Sequence, residues 1–247
     1  MPTQAPVALV TGAAQRIGAV ICRTLHQAGY RILIHYRHSE APAQVLAAEL
    51  NQQRPDSAAT LQADLDDMAQ VDTLAAQTLA IFGQLDLLVN NASSFFPTPV
   101  TDSSQQQWDQ LINSNLRAPY FISAALTPAL TERQGCIINL VDIHAQRGLT
   151  GYPIYSIAKA GLQMMTMSLA KELAPAVRVN GVSPGAILWP EADAALSEGE
   201  KEALLSKVPL GRTGRPEDIA QTVLYLAQAP YISGQIVAVD GGKSLYS

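Results

Sequence analysis

The sequence predicts an α/β fold, a doubly wound, mostly parallel Rossmann-type sheet with helices on both faces. Three observations predict it. Short apolar, β-branched runs alternate with helical patterns along the whole chain. Leu85 to Asn90 is nearly continuously apolar, as a strand covered on both faces must be. A glycine-bearing turn, Thr11-Gly12-Ala13-Ala14-Gln15-Arg16-Ile17-Gly18, stands where the first strand passes into the first helix. Strands alternating with helices need crossover connections, and these make the sheet parallel.

The elements follow in order. Val7 to Val10 is the first strand. The helix after it carries Ile17, Ile21, Leu25 and Ala28 on one side and ends at Gly29, its expected C-cap. Arg31 to Tyr36 is the second strand, followed by a polar helix from about Glu40 to Gln53. Ala58 to Ala63 reads as a strand, Met68 to Phe82 as a helix and Leu85 to Asn90 as the next strand. The second half repeats the scheme, with a long helix inside Ser104 to Leu130 and a strand from Cys136 to Val141. A helix from Ile154 to Leu173 and a strand from Val177 to Val182 follow. Glu191 to Ser206 reads as a small helical insertion, part of a substrate loop at about 186–210. Pro216 to Ala227 is a helix with proline in its first turn, and Ile236 to Val239 is the last strand. No linker, repeat or low-complexity segment divides the 247 residues, so one domain over 1–247 is expected.

Composition narrows the function. Apolar residues make up 48% and charged residues 15%, and the formal net charge is -5. That balance argues against a nucleic-acid binder, which needs clustered Lys and Arg. No apolar run approaches the roughly 20 residues that span a bilayer. The opening MPTQAPVALVTG is too short for a signal peptide before the first strand, so a cytoplasmic protein is expected. Cys22, in a helix, and Cys136, in a strand, have no metal-site or disulfide spacing and read as buried small side chains; no metal is expected.

A strand-to-helix turn points the first free amides of the helix at its occupant, which favours a pyrophosphate. Gly12 permits the tight turn and Gly18 close helix–sheet approach, with Arg16 and Ile17 between them. The familiar G-x-G-x-x-G string is absent. An NAD site usually places an acid after the second strand. Here Tyr36-Arg37-His38-Ser39 stands there. Arg16 and Arg37 could clasp a 2′-phosphate through charge-assisted bonds, with Ser39 adding another, and the expected cofactor is NADPH. Otherwise Arg37 and His38 are ordinary solvated loop residues. Asp64 is a candidate to accept from the adenine amino group or to cap a helix. Asn90-Asn91-Ala92 could brace the nicotinamide half and the neighbouring strand.

Tyr155 and Lys159, four apart on a helix, share one face. A phenol has a reference pKa of about 10. A nearby ammonium would favour the phenolate and ease proton transfer. Asp142 ends a strand thirteen residues before Tyr155. Carboxyl edges of such strands converge on the ligand crevice.

Thr11-Gly12-x-x-x-Arg16-x-Gly18, Asn90-Asn91-Ala92, Asn115, Tyr155-x-x-x-Lys159 and Asn180-x-x-Ser183-Pro184-Gly185 together resemble the short-chain dehydrogenase/reductase family over nearly the whole chain. Most members carry a serine where Asp142 stands. Asp142, Arg16, His35-Tyr36-Arg37-His38-Ser39 and Asn90-Asn91-Ala92-Ser93-Ser94-Phe95 resemble its pteridine reductase branch, which reduces pterins and often folates with NADPH. The resemblance implies a catalytic pair in Tyr155 and Lys159, and an aspartate, Asp142, that assists protonation of a ring nitrogen. Asn115 would support a relay water and Lys159. Phe95 would sandwich a pterin against the nicotinamide, and Ser93 and Arg16 would touch pterin and cofactor phosphate. Lys159 would also hold the nicotinamide ribose, and Asn91, Ala92, Pro184 and Gly185 would line the cofactor. In that branch dihydro substrates take hydride at C6 and a proton at N5 through Asp142 and water. Oxidised pterins first take hydride at C7, with Tyr155 protonating N8.

A flat ring also suits a Phe95 stacking face, with Phe96 the better candidate for loop core. His144 and Arg147 read as loop packing. No threonine follows Pro184-Gly185-Ala186, where the family often uses one, and Leu188 and Trp189 read as a substrate wall or lid. Ile157, Leu162, Met164, Met165, Met167 and Leu169 spread around their helix, leaving a face for other cover. The resemblance adds a homotetramer. Two alternatives stay open: a short-chain carbonyl reductase or alcohol dehydrogenase acting on a non-pterin substrate, and a non-enzymatic dinucleotide sensor, which need not keep Tyr155, Lys159 and Asp142 together.

Overall fold

The computed structural model describes residues 5–188 and 197–245. Seven strands form one sheet: β1 (Val7–Val10), β2 (Arg31–Tyr36), β3 (Ala58–Gln62), β4 (Leu87–Asn90), β5 (Cys136–Leu140), β6 (Arg178–Pro184) and β7 (Ile236–Val239). Their order is β3-β2-β1-β4-β5-β6-β7. All six pairings are parallel, so among the described residues the sheet carries no antiparallel edge.

The helices are α1 (Arg16–Gln27), α2 (Glu40–Gln53), α3 (Met68–Phe82), α4 (Gln105–Ile112), α5 (Ala118–Glu132), α6 (Pro153–Glu172), α7 (Glu198–Leu205) and α8 (Pro216–Gln228). Side chains alternate across a strand, so each strand feeds two cores. Ala8 and Val10 pack with α1, α2 and α8, whereas Val7 and Leu9 pack with α3 and α5. This double cover is why β1 and β4 are wholly buried and read as apolar runs, broken only by Asn90 at the end of β4.

The segment expected as one long helix is interrupted. A π-helical turn, Asn113–Arg117, separates α4 from α5 and carries Asn115. Such turns add one residue without breaking the helical path and occur often at functional sites. The first helix ends one position earlier than expected: Ala28 is its C-cap, and Gly29, at φ 97°, takes the left-handed turn beyond it. Of the expected insertion, α7 is described, with a Ser197–Glu200 capping box. Trp189 and the start of that segment lie outside the described residues.

The chain leaves β1 for β2 on one side and returns as β4 on the other, so strand order reverses between β1 and β4. Ligands of open α/β sheets bind in the crevice at the carboxyl ends of the strands flanking such a switch.

Candidate active site

At the switch point Gly12 and Asn91 meet. Asn91 Nδ2 donates to the carbonyls of Thr11 (2.8 Å) and Gly12 (3.0 Å), and Thr11 Oγ1 accepts from the amides of Asn91 and Ala92. Gly12 has φ +59°, and a Cβ there would stand 2.8 Å from the Ala92 Cα. A Cβ on Gly18 would stand 2.5 Å from the Gly12 carbonyl oxygen and 2.7 Å from Asn91 Nδ2. Both glycines are therefore demanded by backbone approach. Arg16, the first residue of α1, adopts φ 53°, a left-handed conformation that is costly for a non-glycine residue and concentrates at functional sites.

From this turn a groove of about 520 Å³ runs over Gly12, Arg16, Ile17, Gly18, Tyr36, Arg37, His38, Ser39, Asn91, Ala92 and Ser93. These are eleven of the residues the sequence assigned to the cofactor. The fit to a dinucleotide rests on that continuous lining and on a glycine cradle that any Cβ would fill. Ser39 precedes α2 and makes no capping bond of its own.

The adenosine end departs from expectation. Arg37 Nη1 donates to Asp66 Oδ2 at 3.0 Å, Nε donates to His38 Nε2 at 2.8 Å, and Nε lies 3.4 Å from Asp64 Oδ2. The guanidinium is thus held by two carboxylates. Asp64 is not part of the groove lining: its Oδ1 accepts from the Asp66 amide, and its Oδ2 faces Arg37. Asp66 is the acid in the lining, with Oδ1 buried and without a hydrogen-bond partner. Burial raises the pKa of Asp66, and Arg37 opposes the shift.

A second cavity of about 200 Å³ continues from the first. It shares Arg16, Ile17, Asn91 and Ser93, and adds Asp142, Tyr155, Lys159, Pro184, Gly185, Ile187 and Leu188. Tyr155 donates its hydroxyl to Asp142 Oδ2 at 2.8 Å, and Asp142 Oδ1 accepts from the His144 amide at 2.8 Å. Asp142 therefore caps a loop amide and holds the phenol at once. Lys159 Nζ donates to the Leu140 carbonyl at 2.8 Å. Ser93 donates to Asn115 Oδ1 at 2.7 Å.

The electrostatics correct one expectation. The Tyr155 pKa is pushed up, first by burial and then by the negative charge and hydrogen bond of Asp142; the Ser93 contact opposes this. Lys159 does not win as the sequence implied, because its ammonium bonds a carbonyl and sits 5.7 Å from the phenol ring centre. Burial itself lowers the Lys159 pKa to about 8, against the pull of Asp142. The Asn115 carboxamide accepts from Ser93 and donates to the Ser94 and Leu111 carbonyls, so it fastens the 93–94 loop to the π-helical turn.

Phe95 is not in the lining of either cavity; one ring face stacks on Tyr152 (centroids 4.5 Å, 6°) and its ring stands at right angles to Tyr155 (4.9 Å). A flat ligand must use the opposite face of Phe95 or displace Tyr152. Phe96 packs with Leu111 and Ile154, as loop core should. His144 Nδ1 meets the Gly148 carbonyl, which fits loop packing. Asn90 reaches Asn139 across the strands, and Asn139 reaches Thr166 on α6. Sequence reasoning missed Tyr152, Ile187 and Asp66. Only Tyr152, an aromatic one helical turn before Tyr155, had a spacing that could have flagged it.

Residues 12–244 match the family described as enoyl-(acyl carrier protein) reductase. The chain belongs to the short-chain dehydrogenase/reductase family. It is 39% identical to pteridine reductase 1 of Leishmania tarentolae, over 98% of this chain and 97% of that protein. It is 38% identical to a 3-oxoacyl-(acyl carrier protein) reductase of Staphylococcus aureus, over 95% of this chain and 96% of the relative. A Synechocystis reductase of the same description is 35% identical over 98% of both chains. The chain is an oxidoreductase of this family, whose members use NAD(P)H. The first two identities differ too little to choose a substrate.

Proposed function

We propose that this short-chain reductase converts a dihydropterin to its tetrahydro form with NADPH, and that oxidised pterin and dihydrofolate are further substrates. One observation carries the proposal: the Asp142 carboxylate bonds the Tyr155 phenol at 2.8 Å inside the substrate cavity, where most of the family would place a serine. Adding hydride to a C=N ring bond requires a proton at the ring nitrogen, and a carboxyl group meets that need better than a serine hydroxyl. NADPH, when bound, supplies the hydride. Asp142, protonated in turn from solvent, passes a proton to N5 through water, and Tyr155 serves N8 of an oxidised ring. Burial and Asp142 keep the phenol protonated at neutral pH, which suits an acid in reduction and handicaps a base for alcohol oxidation. Arg16, Ser93, Phe95 and Leu188 would hold the ring, with Lys159 at the nicotinamide ribose.

NADPH is favoured over NADH because Arg16, Arg37, His38 and Ser39 line the adenosine end and none of the three residues directly after β2 is an acid. A 2′-phosphate would draw Arg37 away from Asp66. A second reading, carbonyl reduction, is favoured by the 38% identical 3-oxoacyl reductase. NADPH oxidation assayed with dihydropterin, oxidised pterin, dihydrofolate, a ketone panel and a 3-oxoacyl thioester separates the two. Dihydropterin should show the highest kcat/KM; a clear lead for the thioester or a ketone would replace the pterin reading with the carbonyl one.

We also place the enzyme in the cytoplasm as a homotetramer. Among the described residues no helix is long and apolar enough to cross a membrane. Tyr120 and Phe121 on α5 and Ile157 and Met164 on α6 are exposed, an apolar surface suited to a second copy. Light scattering should return the mass of four chains, and the mass of one would remove the assembly.

A further inference from the structure

The geometry points to His35 as a positioning residue for the cofactor, one that fixes Gly12 of the phosphate turn through its Nδ1. His35 lies in β2, 1% exposed, and no part of the chemistry described above uses it. Its ring bridges two elements. Nδ1 lies 3.0 Å from the Gly12 amide, and Nε2 lies 3.1 Å from the Ala63 carbonyl just after β3. An amide can only donate and a carbonyl can only accept. The ring must therefore be neutral, with a bare Nδ1 and the proton on Nε2. Burial keeps it so, lowering the pKa to about 4.

The backbone of the same residue adds a second tie, since the His35 carbonyl accepts from the Ala13 amide at 2.8 Å. Two consecutive amides of the turn are thereby tied to His35 of β2, which itself lines the groove. Gly12 is then held on three sides: His35 takes its amide, Asn91 Nδ2 its carbonyl at 3.0 Å, and the Ala92 Cα leaves no room beside its own Cα. Gly18 packs closely against the Gly12 carbonyl, since a Cβ added there would stand 2.5 Å from its oxygen. The turn therefore has one conformation in which the amides at the start of α1 face the groove, and the imidazole selects it. With the acceptor removed, the half-buried Gly12 amide would lose its protein partner, a cost relieved by moving the turn.

The inference rests on the dinucleotide reading of the groove but not on the choice between NADPH and NADH. The test therefore uses whichever of the two saturates the unaltered protein. Three variants separate the two ring contacts. In His35→Asn the amide oxygen can occupy the Nδ1 position and keep the Gly12 bond. In His35→Gln the amide reaches the Nε2 position and keeps only the Ala63 bond. His35→Phe keeps neither. Dinucleotide Kd, from the fluorescence of the reduced nicotinamide, and steady-state KM and kcat are measured for each. His35→Asn should bind within about threefold of the unaltered protein. His35→Gln and His35→Phe should raise Kd and KM about tenfold, with kcat changed by less than about threefold. Equal weakening in His35→Asn and His35→Gln, or tighter binding by His35→Gln than by His35→Asn, would overturn the role. If His35→Phe does not fold, the Asn–Gln comparison still decides.

Discussion

Asp142 makes two hydrogen bonds with separable consequences, and substitution can remove one without the other. In Asp142→Asn the side-chain oxygen can still accept from the His144 amide or from the Tyr155 hydroxyl, so the local structure should hold. What disappears is a group able to carry a proton to the substrate. General acid catalysis contributes about 10²–10⁴-fold, so kcat for dihydropterin should fall by that factor while dinucleotide Kd stays within about twofold. Stability of this variant should fall by about 1 kcal/mol, because one oxygen replaces two acceptors. Asp142→Ala should lose the same activity and more. Loss of the cap on the His144 amide costs about 1 kcal/mol. Tyr155 is 5% exposed, and its hydroxyl left without an acceptor adds about 1–3 kcal/mol. The alanine variant should therefore be about 2–4 kcal/mol less stable, and in both variants the Tyr155 pKa should fall as the negative charge is removed. Chemical denaturation, fluorescence titration with NADPH and steady-state turnover give the three quantities. Dihydropterin turnover by Asp142→Asn close to that of the parent would refute the reasoning, because then Asp142 only holds Tyr155 and its loop.

Three further outcomes are expected. Gly18→Ala should weaken dinucleotide binding at least about tenfold and cost about 1–3 kcal/mol in a denaturant titration, because its Cβ would stand 2.5 Å from the Gly12 carbonyl oxygen and 2.8 Å from the Ala13 Cα, both backbone atoms. Arg37→Gln should cut kcat/KM for NADPH about 10- to 100-fold and leave that for NADH within about threefold, as loss of charge-assisted bonds to one phosphate implies; equal losses would mean that Arg37 serves only Asp64 and Asp66. His35 makes stability depend on pH. Burial depresses its folded-state pKa to about 4 from 6.5, so its contribution is full above pH 6.5 and is lost as pH falls toward 4. The slope should approach about 1.4 kcal/mol per pH unit, up to about 3 kcal/mol in all, and His35→Asn should lack that component in urea melts across this range.

Much of the architecture was legible because it is local. The buried strands show as apolar runs, Gly12 and Gly18 as a turn between strand and helix, and Tyr155 and Lys159 as a pair one helical turn apart. Each signal lies within a few residues, where periodicity and turn chemistry operate. The π-helical turn at Asn113–Arg117 left no such mark, since one extra residue in a helix barely alters the apolar pattern. What the acids do was also hidden. Arg37 meets Asp66 from 29 residues away, Ser93 meets Asn115 from 22, and His35 meets Gly12 from 23. The direction of the Tyr155 pKa shift likewise depends on burial, which exists only once the sheet and helices have closed around it. The sequence by itself determined which chemical groups are present and which element carries each one. Only the tertiary structure decided which groups face one another and how dry they are, because hydrogen bonding and desolvation act through space and spacing along the chain does not encode them.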